Sequence, residues 1–289
     1  MFSPHTYVDN VTLSDFVLIG LPASESANPL LLPTAGHELG HTIWNKMIDT
    51  KTYYGRLTDS VLAYIRANWV EYQRQYPELK IKEDALGGDM FAQRTWVPAR
   101  ESAFRQAQEI FCDFIGVRIF GESYLNAFAY LVSPGSLQRS PRYPDVRIRA
   151  GYLTRAIQQY GGSSPTGYSA LFAKHPSSPE FMQRTADASV DNVIEDLLKD
   201  ADQILSNAGV PNPDPIKISE IHSLYNRLIV PARNSMALSN ILNAAWAAYL
   251  DPSLWKDMPQ IRDSIFVLKE LTLKNIEVLE IESRLKEST

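Results

Sequence analysis

A single cysteine, Cys112, occurs in the 289-residue chain. No internal disulfide can form, which suits a reducing compartment. Long apolar runs are also missing. The longest, Tyr124–Val132 and Ile241–Leu250, are about ten residues each, against the ~20 needed to cross a bilayer. Basic charge is in deficit: 28 Lys+Arg against 33 Asp+Glu leave a net charge of −5. That is a poor basis for non-specific nucleic-acid binding, which needs a basic surface. Met1-Phe2-Ser3-Pro4-His5 has neither the basic nor the apolar stretch of a secretory leader. Internal repeats and low-complexity segments are absent. What is present, 45% hydrophobic and 21% charged residues, is ordinary for a globular protein. The expectation is a cytoplasmic protein with no membrane and no nucleic-acid partner.

Hydrophobic spacing predicts a mainly α fold with at most a small β element. Val17-Leu18-Ile19, closed by Gly20 and Pro22, reads as a short strand at 16–20. Thr34, directly after Pro33, suits the N-cap of a helix running to about Ile48. Leu57, Val61, Tyr64, Ile65, Trp69, Tyr72 and Tyr76 recur at helical spacing up to Pro77. Gly87-Gly88 marks an irregular connection. Pro98 suits the first turn of a longer helix that Gly121 stops near Phe120. Further helices are expected at 122–132, 187–208, 219–250 and 259–287, with loops at 133–145 and 161–180. The division this suggests is a domain over 1–185 and a helical C-terminal region over 186–289 that packs on it or binds a protein partner.

Residues 37–41 read His37-Glu38-Leu39-Gly40-His41, an H-E-x-x-H on the first expected helix. His37 and His41 stand one turn apart and about 40° apart around the axis, so both imidazoles can hold one ion. Glu38 beside them can take a proton from a water that the metal acidifies and later return it to a leaving amine. A catalytic zinc needs a third protein ligand and one open position. His5, His175 and His222 are the other histidines, and none completes an H-E-x-x-H-x-x-G-x-x-H pattern.

Glu109 is the better candidate for the third ligand. Glu109 and Asp113 stand one turn apart on an apolar helix, where paired carboxylates are costly unless each charge has a partner. A metal would serve Glu109, and the second ring N–H of a ligating histidine would serve Asp113. The plain alternative is an exposed face paired with Arg105 or Arg118. Glu101 is a second candidate ligand but lacks the companion aspartate. Cys112 reads as a buried small hydrophobe rather than the metal-binding cysteine of peptide deformylase-type enzymes, which precedes the histidine motif.

These residues resemble the gluzincin metallopeptidases, in which H-E-x-x-H is completed by a downstream glutamate with an aspartate four residues later. Glu109-x-x-x-Asp113 followed by Gly116 looks most like the long-spaced branch that includes the membrane prenyl-protein proteases, although no transmembrane segment is present here. That branch often carries His-Pro-x-x-x-x-Arg. Tyr143-Pro144-Asp145-Val146-Arg147-Ile148-Arg149 matches its spacing, with Tyr in place of His. His175-Pro176 is a rival, with Arg184 at the wrong distance. The resemblance covers roughly residues 30–150. It implies a zincin-like core, one Zn2+ per chain on His37, His41 and Glu109, and Asp113 supporting a ligand. Tyr143, Arg147 or Arg149 would stabilise the oxyanion of a tetrahedral intermediate.

The functional expectation is therefore a zinc metalloprotease, an endopeptidase acting on a restricted protein or peptide substrate. A metal-binding interaction or sensor module is the alternative from another class, and an intact Glu38 speaks against it. A non-peptidase amide hydrolase is the third. A peptidase needs an edge strand that pairs with extended substrate, and 16–20 is the candidate for it.

Overall fold

A computed structural model describes residues 25–133, 143–172, 180–231 and 237–287. Those residues are mainly α-helical and include no strand. The expected strand at 16–20 lies outside them, as do His5, His175 and Pro176. None of the helices is long and apolar enough to cross a membrane among the described residues.

Asn28 opens the fold by accepting the Leu30 N–H at 3.3 Å. It starts a 3-10 turn over Pro29–Thr34, which feeds directly into α1 (Ala35–Met47). Because the chain enters α1 already coiled, Thr34 has helical dihedrals and does not cap with its side chain. Its hydroxyl instead donates back to the Leu31 carbonyl at 2.7 Å. Asp49 caps α2 (Thr50–Ala67). The periodic stretch ending at Pro77 is two helices rather than one: Asn68 breaks it, and α3 (Trp69–Gln75) follows.

The largest departure from the sequence reading is α4 (Met90–Phe120), whose 31 residues carry Pro98 inside the helix rather than at its start. Interior proline forfeits one backbone hydrogen bond. The extra N-terminal turns are held by other means. Asp89 accepts the Phe91 and Ala92 N–H groups at 2.9 and 2.8 Å. Tyr72 bonds Thr95 at 2.8 Å, and the Trp96 indole donates to the Leu86 carbonyl at 3.2 Å. Gly121, at φ +60°, ends α4 as expected, and α5 (Glu122–Val132) follows at once. Then come α6 (Val146–Gln159), α7 (Phe181–Asp191), α8 (Ile194–Asn207), α9 (Pro215–Tyr225), α10 (Leu238–Leu250) and α11 (Ser264–Glu287). The expected helices at 187–208 and 219–250 are each two.

The centre of the fold is α4, which packs against α1, α2, α5, α6, α7 and α8. Its buried Ile110, Phe111, Phe114 and Ile115 share one core with Trp44 and Leu57, and with Leu197 and Leu198 of α8. Burial of each such side chain contributes roughly 1.5–3 kcal/mol. Helices α10 and α11 build a second core with Leu30 and Leu31 of the entry turn. The two cores meet at the α4–α5 corner. There Asn243 of α10 accepts the Ser123 N–H at 2.9 Å and donates to the Phe120 carbonyl at 2.7 Å.

Small residues set the pairing of α1 with α4. A Cβ on Gly36 would stand 2.7 Å from the Gly116 Cα, and one on Gly40 would stand 2.5 Å from the Cys112 Cα. Further along, Trp44 packs on Phe104 and Phe111, so the two helices run antiparallel. The backbones approach this closely only where side chains are missing.

Candidate metal centre

Close approach of α1 to α4 brings His37 and His41 onto Glu109. One Glu109 oxygen is 3.3 Å from His37 Nε2, and the other is 3.8 Å from His41 Nε2. Three donor atoms, one from each residue, lie within 4.8 Å of one another. Tetrahedral ligands at bonds of about 2.0–2.1 Å sit about 3.3–3.4 Å apart, so this spacing suits one ion shared by the three. His37, His41 and Glu109 can therefore hold a metal ion.

The support around the cluster is as specific as the cluster itself. His37 Nδ1 lies 2.9 Å from Asp113 Oδ1, the pairing expected for a ligating histidine whose Nε2 faces the metal. Asp113 is almost fully buried and takes three more hydrogen bonds. Tyr124 donates its hydroxyl to Oδ1 at 2.6 Å. Arg149 donates Nη2 to Oδ1 at 2.7 Å and Nε to Oδ2. A carboxylate with that many donors is satisfied in the core, which removes the cost of burying it.

The titration of the cluster follows from this wiring. Burial disfavours charge on His37, yet the Asp113 and Glu109 carboxylates outweigh it and push its pKa up to about 9. Burial and the neighbouring charge of His37 hold His41 below the usual imidazole range. Burial would raise Asp113, but the Arg149 charge and its hydrogen bonds hold the carboxyl well below the usual range. Glu109 also falls, against its burial, through its hydrogen bond with His37. Burial and the Asp113 charge push the Tyr124 hydroxyl far up, so it remains a donor.

The other sequence candidates fall into place around these. Glu38 is half-buried on α1 beside the two histidines, and its charge acts on His41. Glu101 accepts from Tyr54 at 2.6 Å and Arg100 at 2.9 Å, and is engaged away from the histidines. Cys112 is fully buried under Gly40. Arg118, a possible partner for the Glu109–Asp113 face, pairs with Asp202 at 2.7 Å.

Arg149 reaches the cluster as a support of Asp113. Arg147 is exposed, two residues earlier on α6, and Tyr143 is exposed ahead of the Asp145 N-cap of that helix. Tyr124 escaped the sequence reading because it belongs to no motif. Its only local signal is its place three residues after the helix-stopping Gly121. Comparison with protein-family models, curated proteins and solved structures finds no match to this chain.

Proposed function

We propose that this chain is a zinc-dependent endopeptidase with a gluzincin-like centre. The observation that carries the reading is the shared cluster of His37, His41 and Glu109, with Asp113 on the second nitrogen of His37 and Glu38 on the same helix. Two imidazoles and a carboxylate, with a fourth position open, form the donor set of catalytic zinc sites. A structural site would be closed by a fourth protein ligand, and among the described residues the cluster has three.

The chain's own residues divide the work. Zinc held there supplies a Lewis acid that acidifies a water and polarises a peptide carbonyl. Glu38 takes the proton of the attacking water and returns it to the departing amine. Asp113 accepts the Nδ1–H of His37 and so keeps Nε2 turned toward the cluster. Arg149, bound through two nitrogens to Asp113, holds that carboxylate in place. Of the three groups considered for the oxyanion, Arg149 is committed to Asp113, and Tyr143 and Arg147 are exposed. The substrate is a restricted protein or peptide.

The test combines metal content with cleavage. Plasma mass spectrometry should find about one zinc per chain in the wild type and in Glu38→Gln, and little in His41→Ala or Glu109→Ala. A denatured lysate treated with wild-type protein should gain new peptide N-termini that Glu38→Gln does not produce. Equal cleavage by Glu38→Gln would sink the assigned base. A zinc-loaded wild type that cleaves nothing would overturn the endopeptidase reading in favour of a metal-binding interaction module.

A further inference from the structure

We propose that Tyr124 is a positioning residue of the metal centre, and that Gly116 is the residue that lets it reach Asp113. The inference rests on the metal-centre reading above and adds to it the group that aims the second carboxylate. Tyr124 is only 2% exposed. Its hydroxyl lies 2.6 Å from Asp113 Oδ1, the same oxygen that faces His37 Nδ1 at 2.9 Å. A phenylalanine would fill this space equally well, so the hydroxyl is present for the carboxylate. A buried hydrogen bond to a charged acceptor is among the stronger kinds. With Tyr124 and Arg149 both donating to it, Asp113 has no freedom to turn away from the imidazole.

Gly116 makes the contact possible. It stands one turn beyond Asp113 on α4, and a Cβ there would lie 2.3 Å from the Tyr124 ring. The ring therefore rests on bare backbone and projects its hydroxyl one turn back along α4, onto Asp113. One turn further along α5, Phe128 stacks with Tyr124 at 6.4 Å and carries the Arg149 guanidinium at 4.9 Å from its ring centre. Helix α5 thus backs both the phenol and the guanidinium that hold Asp113.

The experiment is zinc affinity by competition with a chromophoric chelator at fixed pH, on folded, metal-stripped protein. Tyr124→Phe keeps the ring and should weaken zinc binding about tenfold or more, the usual cost of losing an outer-shell partner. Tyr168→Phe is the control. Tyr168 is equally buried and donates to the Leu125 carbonyl at 2.8 Å, with no bond to the cluster. Its removal should leave affinity within about twofold, since its hydroxyl donates to a backbone carbonyl and to no group that holds His37, His41 or Glu109. Gly116→Ala should weaken binding at least as much as Tyr124→Phe.

Unchanged affinity in Tyr124→Phe, with zinc bound normally by the wild type, would overturn this inference alone. Equal losses in Tyr124→Phe and Tyr168→Phe would also overturn it, as general damage to packing. A wild type that binds no zinc would overturn the metal-centre reading and this inference with it.

Discussion

Gly40 of α1 lies so close to Cys112 of α4 that a Cβ added to it would stand 2.5 Å from the Cys112 Cα and 2.9 Å from its Cβ. Gly40 is the residue before His41, so this approach fixes how near the imidazole comes to Glu109. In an exposed helix, Gly→Ala normally stabilises, by about 0.5–1 kcal/mol. Here the sign should reverse. Gly40→Ala is expected to cost roughly 1–3 kcal/mol by overpacking and to weaken metal binding as α1 moves off α4. Gly55 of α2 has no atom within 4 Å of its added Cβ, so Gly55→Ala should stabilise by the usual amount. Urea denaturation of both variants checks the contrast. A stabilised Gly40→Ala would show that the crossing has slack.

Protonation of His37 should make metal binding depend on pH. Its pKa in the folded, metal-free chain is pushed from 6.5 up to about 9, so protonated His37 stabilises that state. This contribution is complete below pH 6.5 and is lost as pH rises through about 9. A metal needs the neutral imidazole, so binding between these limits must expel the proton. His41 is held below the usual range and contributes little. Zinc binding near pH 7.5 should therefore release about one proton from His37, and affinity should rise about tenfold per pH unit until about pH 9. Calorimetry in two buffers of different ionisation enthalpy measures the release. Binding that releases no proton at pH 7.5 would contradict the wiring of His37 to Asp113 and Glu109.

Removal of Arg149 should be far more damaging than removal of an exposed arginine that also pairs with an aspartate. Arg149 is largely buried and gives Asp113 two of its donors. Arg149→Met leaves a buried carboxylate short of its counter-charge, a loss of roughly 3–5 kcal/mol. Arg56 pairs with Asp196 at 2.6 Å, but both side chains are about 40% exposed, so Arg56→Met should cost no more than ~1 kcal/mol. Guanidinium titrations at one pH compare them directly. Equal losses would mean that Asp113 draws its stability from Tyr124 and His37 alone.

How much of this was readable in the chain itself depends on the distance over which each feature is decided. The pairing of His37 with His41, and the place of Glu38 beside them, needed only the pitch of a helix. Glu109 and Asp113 were readable as a pair for the same reason, together with the oddity of two carboxylates on an apolar face. Gly121 stopped α4 and the run at 122–132 was a helix, because both rest on local backbone preference. Pro98 misled: its local preference for a first turn gave way to Asp89, Tyr72 and Trp96, which hold the turns before it.

Sequence by itself determined the helical class and the placing of the five residues of the two short motifs, His37, Glu38, His41, Glu109 and Asp113, on their helices, since spacing within one helix is fixed by its hydrogen bonds. Only the tertiary structure decided which groups complete them. His37 and Asp113 are 76 residues apart, and what joins them is the absence of side chains at Gly36 and Gly40. Arg149 rather than Arg147 turns inward because the two lie on different faces of α6 and one face packs. Tyr124 acquires its role from the bare surface of Gly116 and from the corner that Asn243 closes across the chain. Close packing chooses among chemically equivalent residues, and that choice depends on shapes brought together from distant parts of the chain.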